Sequence, residues 1–154
     1  GGIYGGGSIV FTRATSFGSK VCATPDGRKA HTPLADSVGP VQGRDLKGPT
    51  AVFNSSAKVP QILAQSTYVL NIKFAPKIFQ GNKDKIIALL KTYFARGGQQ
   101  VQINVVDRET LIQAKQNPEQ YKGLVVRVGG FSGYFNHLSP AHQDDIIART
   151  EHNL

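Results

Sequence analysis

Apolar and polar positions alternate along two stretches of the chain. Over residues 67–74, TYVLNIKF, the side chains of Tyr68, Leu70, Ile72 and Phe74 stand against Asn71 and Lys73. Over residues 99–106, Val101, Ile103 and Val105 stand against Gln102 and Asn104. A period of two predicts strands with one apolar face, which puts Gln102 and Asn104 on the polar side. Between these stretches the period lengthens. Ile86, Leu89, Leu90 and Tyr93 share one helical face with Ile87 and Phe94 beside it, Asn82 is placed to cap the start, and Gly97 and Gly98 close the end. Asp107 caps a second, shorter helix to about Gln116, stopped before Asn117 and Pro118. Leu124–Val128 reads as a short apolar strand. A final helix starts at Ser139 and Pro140 and runs through Ile146, Ile147 and Arg149, with Asp144 and Asp145 in its first turn, where negative charge complements the helix dipole. The second half therefore alternates strands and helices, which predicts α/β packing.

The first half differs. Residues 1–60 carry turn after turn, and TPDGR at 24–28 is the clearest, with Pro25 at the second position and Gly27 at the fourth. This gives a division into a loop-rich segment, 1–60, and a compact unit, 61–154. At 154 residues and 40% hydrophobic content the chain can support one core. No run approaches the roughly 20 apolar residues that cross a bilayer, and no basic stretch leads into an apolar one, so a soluble, cytoplasmic location without membrane contact is expected. The single cysteine, Cys22, offers neither an internal disulfide nor metal-ligand spacing, and reads as a small buried hydrophobe. The absence of methionine fits either a trimmed initiator or a piece of something longer.

The formal charge of +8 raises nucleic acid as a partner, but the basic residues are scattered from Lys20, Arg28 and Lys29 through Lys73 to Arg96. No basic run or aromatic platform forms, so solvated surface or a face for an acidic partner is expected rather than nucleic-acid binding. His31, His137, His142 and His152 lie too far apart for a shared metal, and no metal site is predicted. The opening GGIYGGGS lacks the lysine of a phosphate-binding loop.

The stretch LVVRVGGFSGYFNHLSP, 124–140, sets Gly129, Gly130 and Gly133 among apolar residues. A bend or a close backbone approach is one reading. The other is chemical. Loss of a hydrogen atom from a glycine Cα gives a radical that the flanking amide nitrogen and carbonyl both delocalise once the backbone flattens. A Cβ would crowd that state, and a buried site would keep oxygen away.

Several segments in order resolve the choice. RVGGF at 127–131, NVVDRETL at 104–111, PEQY at 118–121 and QDDIIART at 143–150 together resemble the C-terminal region of glycyl radical enzymes. TPDGRKA at 24–30, PLADSVGPVQG at 33–43 and GPTAV at 48–52 extend the resemblance across nearly the whole chain from about Gly18. The resemblance implies the C-terminal part of a ten-stranded α/β barrel, with a radical loop at 127–138 and the radical on Gly130. Arg127, Val128, Gly129, Phe131 and Ser132 match the supporting loop, with Phe131 in place of the usual tyrosine. Arg149 matches a family arginine that braces the loop or polar groups of the active site.

On the family pattern, a radical S-adenosylmethionine activase with a [4Fe-4S] cluster installs the radical, and no cofactor is bound by the chain itself. The glycyl radical then generates a thiyl radical on a cysteine that attacks a small-molecule substrate. Cys22 matches neither the motif nor the position of that cysteine. The chain is therefore expected to be the radical-bearing part or small subunit of an oxygen-sensitive, anaerobic lyase, completed by a remaining N-terminal part or large subunit. The ending VRVGGFS and RTEH is more similar to the dehydratase, decarboxylase and C-X lyase branch than to pyruvate formate-lyase. A free-standing radical repair subunit, and a basic binding module with a structural Gly-Gly bend, are the alternatives.

Overall fold

The structure, a computed structural model, describes residues 13–64, 66 and 68–153. Among the described residues, five helices and five strands follow in the order α1 (Arg13–Gly18), α2 (Pro49–Ser56), β1 (Asn71–Phe74), α3 (Lys83–Ala95), β2 (Gln102–Val105), α4 (Arg108–Gln116), β3 (Val125–Arg127), β4 (Ser132–Tyr134), α5 (Pro140–Ala148) and β5 (Glu151–His152). Short 3-10 turns fill several of the connections. The expected turn at 24–28 closes with the Gly27 amide donating to the Thr24 carbonyl at 3.0 Å.

Strands β2, β1 and β5 form a parallel sheet in that order, with Ile72 opposite Ile103 and Phe74 opposite both Val105 and His152. Helix α3 is the crossover from β1 to β2, the connection that parallel neighbours require. As the middle strand, β1 is covered on both faces. Leu70, Ile72 and Phe74 are buried as the alternation predicts, but Lys73 is buried as well, at 1% exposure. Parallel sheets covered on both sides do not present a solvated face, so a period-two pattern does not mark one here.

Two apolar clusters flank this sheet. The first joins Val52 and Phe53 of α2 to Leu70, Ile72, Phe74, Ile86 and Tyr93. Phe53 and Tyr93 meet edge to face, with centroids 5.0 Å apart. The second joins Val106, Leu111 and Ala114 to Val126, Val128, Phe135, Ile146 and Ile147. It therefore fastens α4 and α5 to the hairpin formed by β3 and β4, which pair antiparallel from Val125–Tyr134 to Arg127–Ser132.

The helix ends follow their sequence signals unevenly. Asp107 caps α4, its carboxylate accepting from the Thr110 amide at 2.7 Å. Asn82 stands at the N-cap of α3 but makes no side-chain cap, because its amide donates to the Gln80 carbonyl at 3.5 Å. After α3, a Cβ at Gly98 would lie 2.3 Å from the Tyr93 ring, so only glycine lets the chain turn back this closely.

Three expectations are corrected. Asp144 and Asp145 lie in the body of α5, not its first turn, since the expected start at Pro140 holds and places them past that turn. There they serve as side-chain partners: Asp144 for Lys115, and Asp145 for Arg149 at 3.3 Å. Cys22 is exposed rather than buried. The fold uses its carbonyl, which accepts from the Arg28 guanidinium, and leaves the thiol outside the packing. The scattered cations are not all solvated surface, since Arg28 and Lys73 are buried. No helix among the described residues is long and apolar enough to cross a membrane.

Candidate functional site

The β3–β4 hairpin turns through Val128, Gly129, Gly130 and Phe131. Val128 and Gly129 are buried, while Gly130 and Phe131 are exposed at the tip. Gly130 has φ +87°, a backbone region that residues with a Cβ rarely occupy, so the turn itself selects glycine here. The Val128 amide donates to the Phe131 carbonyl at 2.9 Å and closes the turn. Arg127 reaches across the strand pair, its guanidinium donating to the Ser132 hydroxyl at 2.8 Å.

What holds this turn to the rest of the fold is a set of side chains. Gln102 and Asn104, two residues apart on β2, point the same way. Asn104 pairs with the Arg127 backbone, accepting from its amide and donating to its carbonyl, both at 2.7 Å. The Gln102 side-chain oxygen accepts from the Gly130 amide at 2.5 Å, and its nitrogen donates to the Phe131 carbonyl at 3.4 Å. Two side-chain amides thus do for β2 and the hairpin what backbone groups do between paired strands. This is also why they are buried, at 2% and 4% exposure, while Val105 on the other face is 48% exposed. The polar side of the β2 pattern is therefore buried too, while Val101 and Ile103 pack against the first apolar cluster.

Arg149, just past α5, also reaches the turn. Its guanidinium donates to the Val128 carbonyl at 2.9 Å and the Arg127 carbonyl at 3.4 Å. It also pairs with Asp145 at 3.3 Å and with Asp36 at 3.7 Å. Asp36, which takes a hydrogen bond from Asn71, is pushed above the ordinary carboxylate range by burial and by the Asp145 charge, against the pull of Arg149 and Asn71. Farther along, Asp45 bonds to His152 at 2.7 Å and to the Thr150 hydroxyl. Burial would raise Asp45, but these bonds outweigh it and hold the carboxyl below its usual range. The 36–45 stretch of the loop-rich segment is in this way tied to the residues that brace the hairpin.

All seven residues singled out around the loop, Arg127, Val128, Gly129, Gly130, Phe131, Ser132 and Arg149, come together in this arrangement. Gln102 and Asn104 escaped notice because alternation alone assigns them to solvent. The signal that could have found them is chemical: two amide side chains at i and i+2 can each offer a donor and an acceptor to one neighbouring backbone.

Comparison with known proteins agrees with this geometry. The family described as glycine radical matches residues 34–136. The probable dehydratase YbiW of Escherichia coli is 48% identical, over all of this chain and 19% of its own length. An isethionate sulfite-lyase of Oleidesulfovibrio alaskensis is 43% identical, over 94% of this chain and 18% of its own. A glycyl radical enzyme from Archaeoglobus fulgidus, known from its crystal structure, superposes with a TM-score of 0.92 at 35% identity, covering the whole of this chain and 20% of that one. The chain thus spans about a fifth of the length of these relatives, which include a dehydratase and a lyase. The family match takes in both the glycine turn and the two amides of β2 that hold it, and by that match this chain belongs to the glycyl radical enzyme family.

Proposed function

We propose that Gly130 is the radical carrier of a dehydratase or lyase, and that this chain works together with a much larger remainder that supplies a reactive cysteine and the substrate site. The observation that supports this most is the placement of Gly130 at an exposed tip, at φ +87°, on a turn fixed by the buried groups of Gln102, Asn104 and Arg149. A glycyl radical needs protection from oxygen and water. Exposure of Gly130 among the described residues fits a loop that is covered by the remainder, in which the three-stranded parallel sheet continues as part of an α/β barrel.

In the chemistry, the Gly130 Cα–H bond breaks homolytically when a radical S-adenosylmethionine activase with a [4Fe-4S] cluster removes the hydrogen atom. Gly130 Cα then recovers a hydrogen atom from the cysteine thiol, leaving a thiyl radical to abstract hydrogen from a small molecule. Arg127, Val128, Gly129, Phe131, Ser132 and Arg149 support the loop. The dehydratase and sulfite-lyase names of the relatives support an elimination from a small molecule as the reaction class.

The test is anaerobic incubation of the assembled enzyme with its reduced activase and S-adenosylmethionine, read by electron paramagnetic resonance. A glycine-type doublet that is lost in Gly130→Ala is expected. No doublet with an activase proven on a related enzyme, or an unaltered doublet in Gly130→Ala, refutes the assignment.

A further inference from the structure

We propose that Gln102 is a positioning residue that anchors the nitrogen side of Gly130, so that it sets which half of the glycine moves when its Cα flattens and how far the unpaired electron spreads. This rests on the reading of Gly130 as the radical carrier. Two contacts motivate it: Oε1 accepts from the Gly130 amide at 2.5 Å and Nε2 donates to the Phe131 carbonyl at 3.4 Å.

The geometry makes these contacts matter. A planar Cα radical overlaps with the amide nitrogen only when the preceding peptide lies in the same plane, near a φ of 180°. At φ +87° that peptide stands almost perpendicular, and the nitrogen lone pair is nearly orthogonal to the half-filled orbital. Delocalisation therefore requires rotation about one of the glycine bonds. The Gly130 amide is held by a side chain at 2% exposure, whose two polar ends are both committed to the loop. Gln102 consequently resists rotation most on the nitrogen side, at 2.5 Å, and less on the carbonyl side, where it reaches the Phe131 carbonyl at 3.4 Å. A radical held in this way keeps more spin on Cα than one free to flatten fully.

Asn104 provides the contrast. It grips Arg127, three residues earlier, and makes no bond to Gly130. Loosening the loop at Asn104 should thus leave the electronic structure of the radical alone, whereas freeing the Gly130 amide should not.

The experiment compares the assembled enzyme with its Gln102→Leu, Gln102→Glu and Asn104→Leu variants. Before activation, amide hydrogen exchange at Gly130 is measured; Gln102→Leu is expected to accelerate it about tenfold, the worth of one net hydrogen bond, and Gln102→Glu, which keeps an acceptor, to stay near the parent. After activation, Gln102→Leu is expected to narrow the doublet splitting as spin leaves Cα, with Gln102→Glu and Asn104→Leu keeping the parental splitting. Unchanged exchange in Gln102→Leu, or an unchanged splitting in a Gln102→Leu doublet, overturns the proposal. So does equal narrowing in Asn104→Leu, which would mark a general loosening. If the parent enzyme gives no doublet, the radical assignment fails, and the exchange measurement alone still decides whether Gln102 anchors the Gly130 amide.

Discussion

Replacing Lys73 by methionine is expected to stabilise the protein at neutral pH and to remove a rise in stability under alkaline conditions. Lys73 lies on the middle strand of the parallel sheet at 1% exposure, and its ammonium reaches only the Ile147 carbonyl, at 3.4 Å. Burial pulls its pKa down from 10.5 to about 8; Glu151 and Asp107 act against that, and Arg108 and Arg149 with it. The unfolded chain keeps this lysine protonated up to about 10.5, whereas the folded protein releases the proton near 8. Between those values the unfolded state binds more protons, so stability rises with pH. At 1.36 kcal/mol per pH unit of displacement, the rise attributable to Lys73 is about 3 kcal/mol. Methionine has a similar volume and no charge to desolvate, so Lys73→Met should be about 1–3 kcal/mol more stable than the parent at pH 7. Urea unfolding of the whole protein, followed by circular dichroism from pH 7 to 10.5, measures the difference between parent and variant and cancels the other titrating groups. The difference should shrink and then reverse or vanish as the pH passes 8. A difference that stays constant across that range would refute the reasoning, because it would mean that the folded protein does not hold Lys73 as a costly buried cation.

Other expectations follow from the same contacts. Arg149→Met leaves Asp36 and Asp145 buried without their cation and should cost about 3–5 kcal/mol in urea unfolding at pH 7. That cost should ease towards acid pH, since burial already raises Asp36 above the ordinary carboxylate range, and a loss under 1 kcal/mol at pH 7 would count against the network. Asp107→Ala removes the cap of α4 and should cost about 1 kcal/mol by thermal or urea unfolding. The Thr110 amide holds the Asp107 carboxyl below the ordinary range, so its contribution is present above the unfolded pKa and is lost as the pH falls through the lower folded value; parent and variant should converge there. Gly130→Ala should cost about 1–2 kcal/mol through strain at φ +87°, readable by calorimetry in the unactivated protein and separate from loss of the radical.

Much of this arrangement was legible in the chain. The strands around Ile72 and Ile103, the helix from Lys83 and the Asp107 cap follow from local periodicity and capping, which need no knowledge of the partner surface. RVGGF directed attention to the turn at Gly130, and the φ there explains the glycine whatever its chemistry. The burial of Lys73, Gln102 and Asn104 was not legible, because alternation tells which residues share a face but not which face meets solvent. Only the parallel pairing and the approach of the hairpin decide that, and both are made by residues distant in sequence. The start of α5 at Pro140 was legible, but the role of Asp145 was not: it lies past the first turn and pairs with Arg149, one helical turn away.

The hairpin's anchors and the bonds that tie them to the loop-rich segment differ in how early they can form during folding. Gln102 and Asn104 grip residues 28 and 23 positions away, a short closure around α4. The stretch containing Arg149 and β5 is itself fixed by the His152–Asp45 bond, which spans 107 residues. Long closures cost more chain entropy before their contacts repay it, so they form later. The turn at Gly130 can therefore take shape on β2 and against Arg149, 21 and 22 residues from its partners, before the loop-rich segment adds Asp36 and Asp45. A substitution at Asp45 should for this reason speed unfolding more than it slows folding, whereas one at Asn104 should act on the folding rate itself.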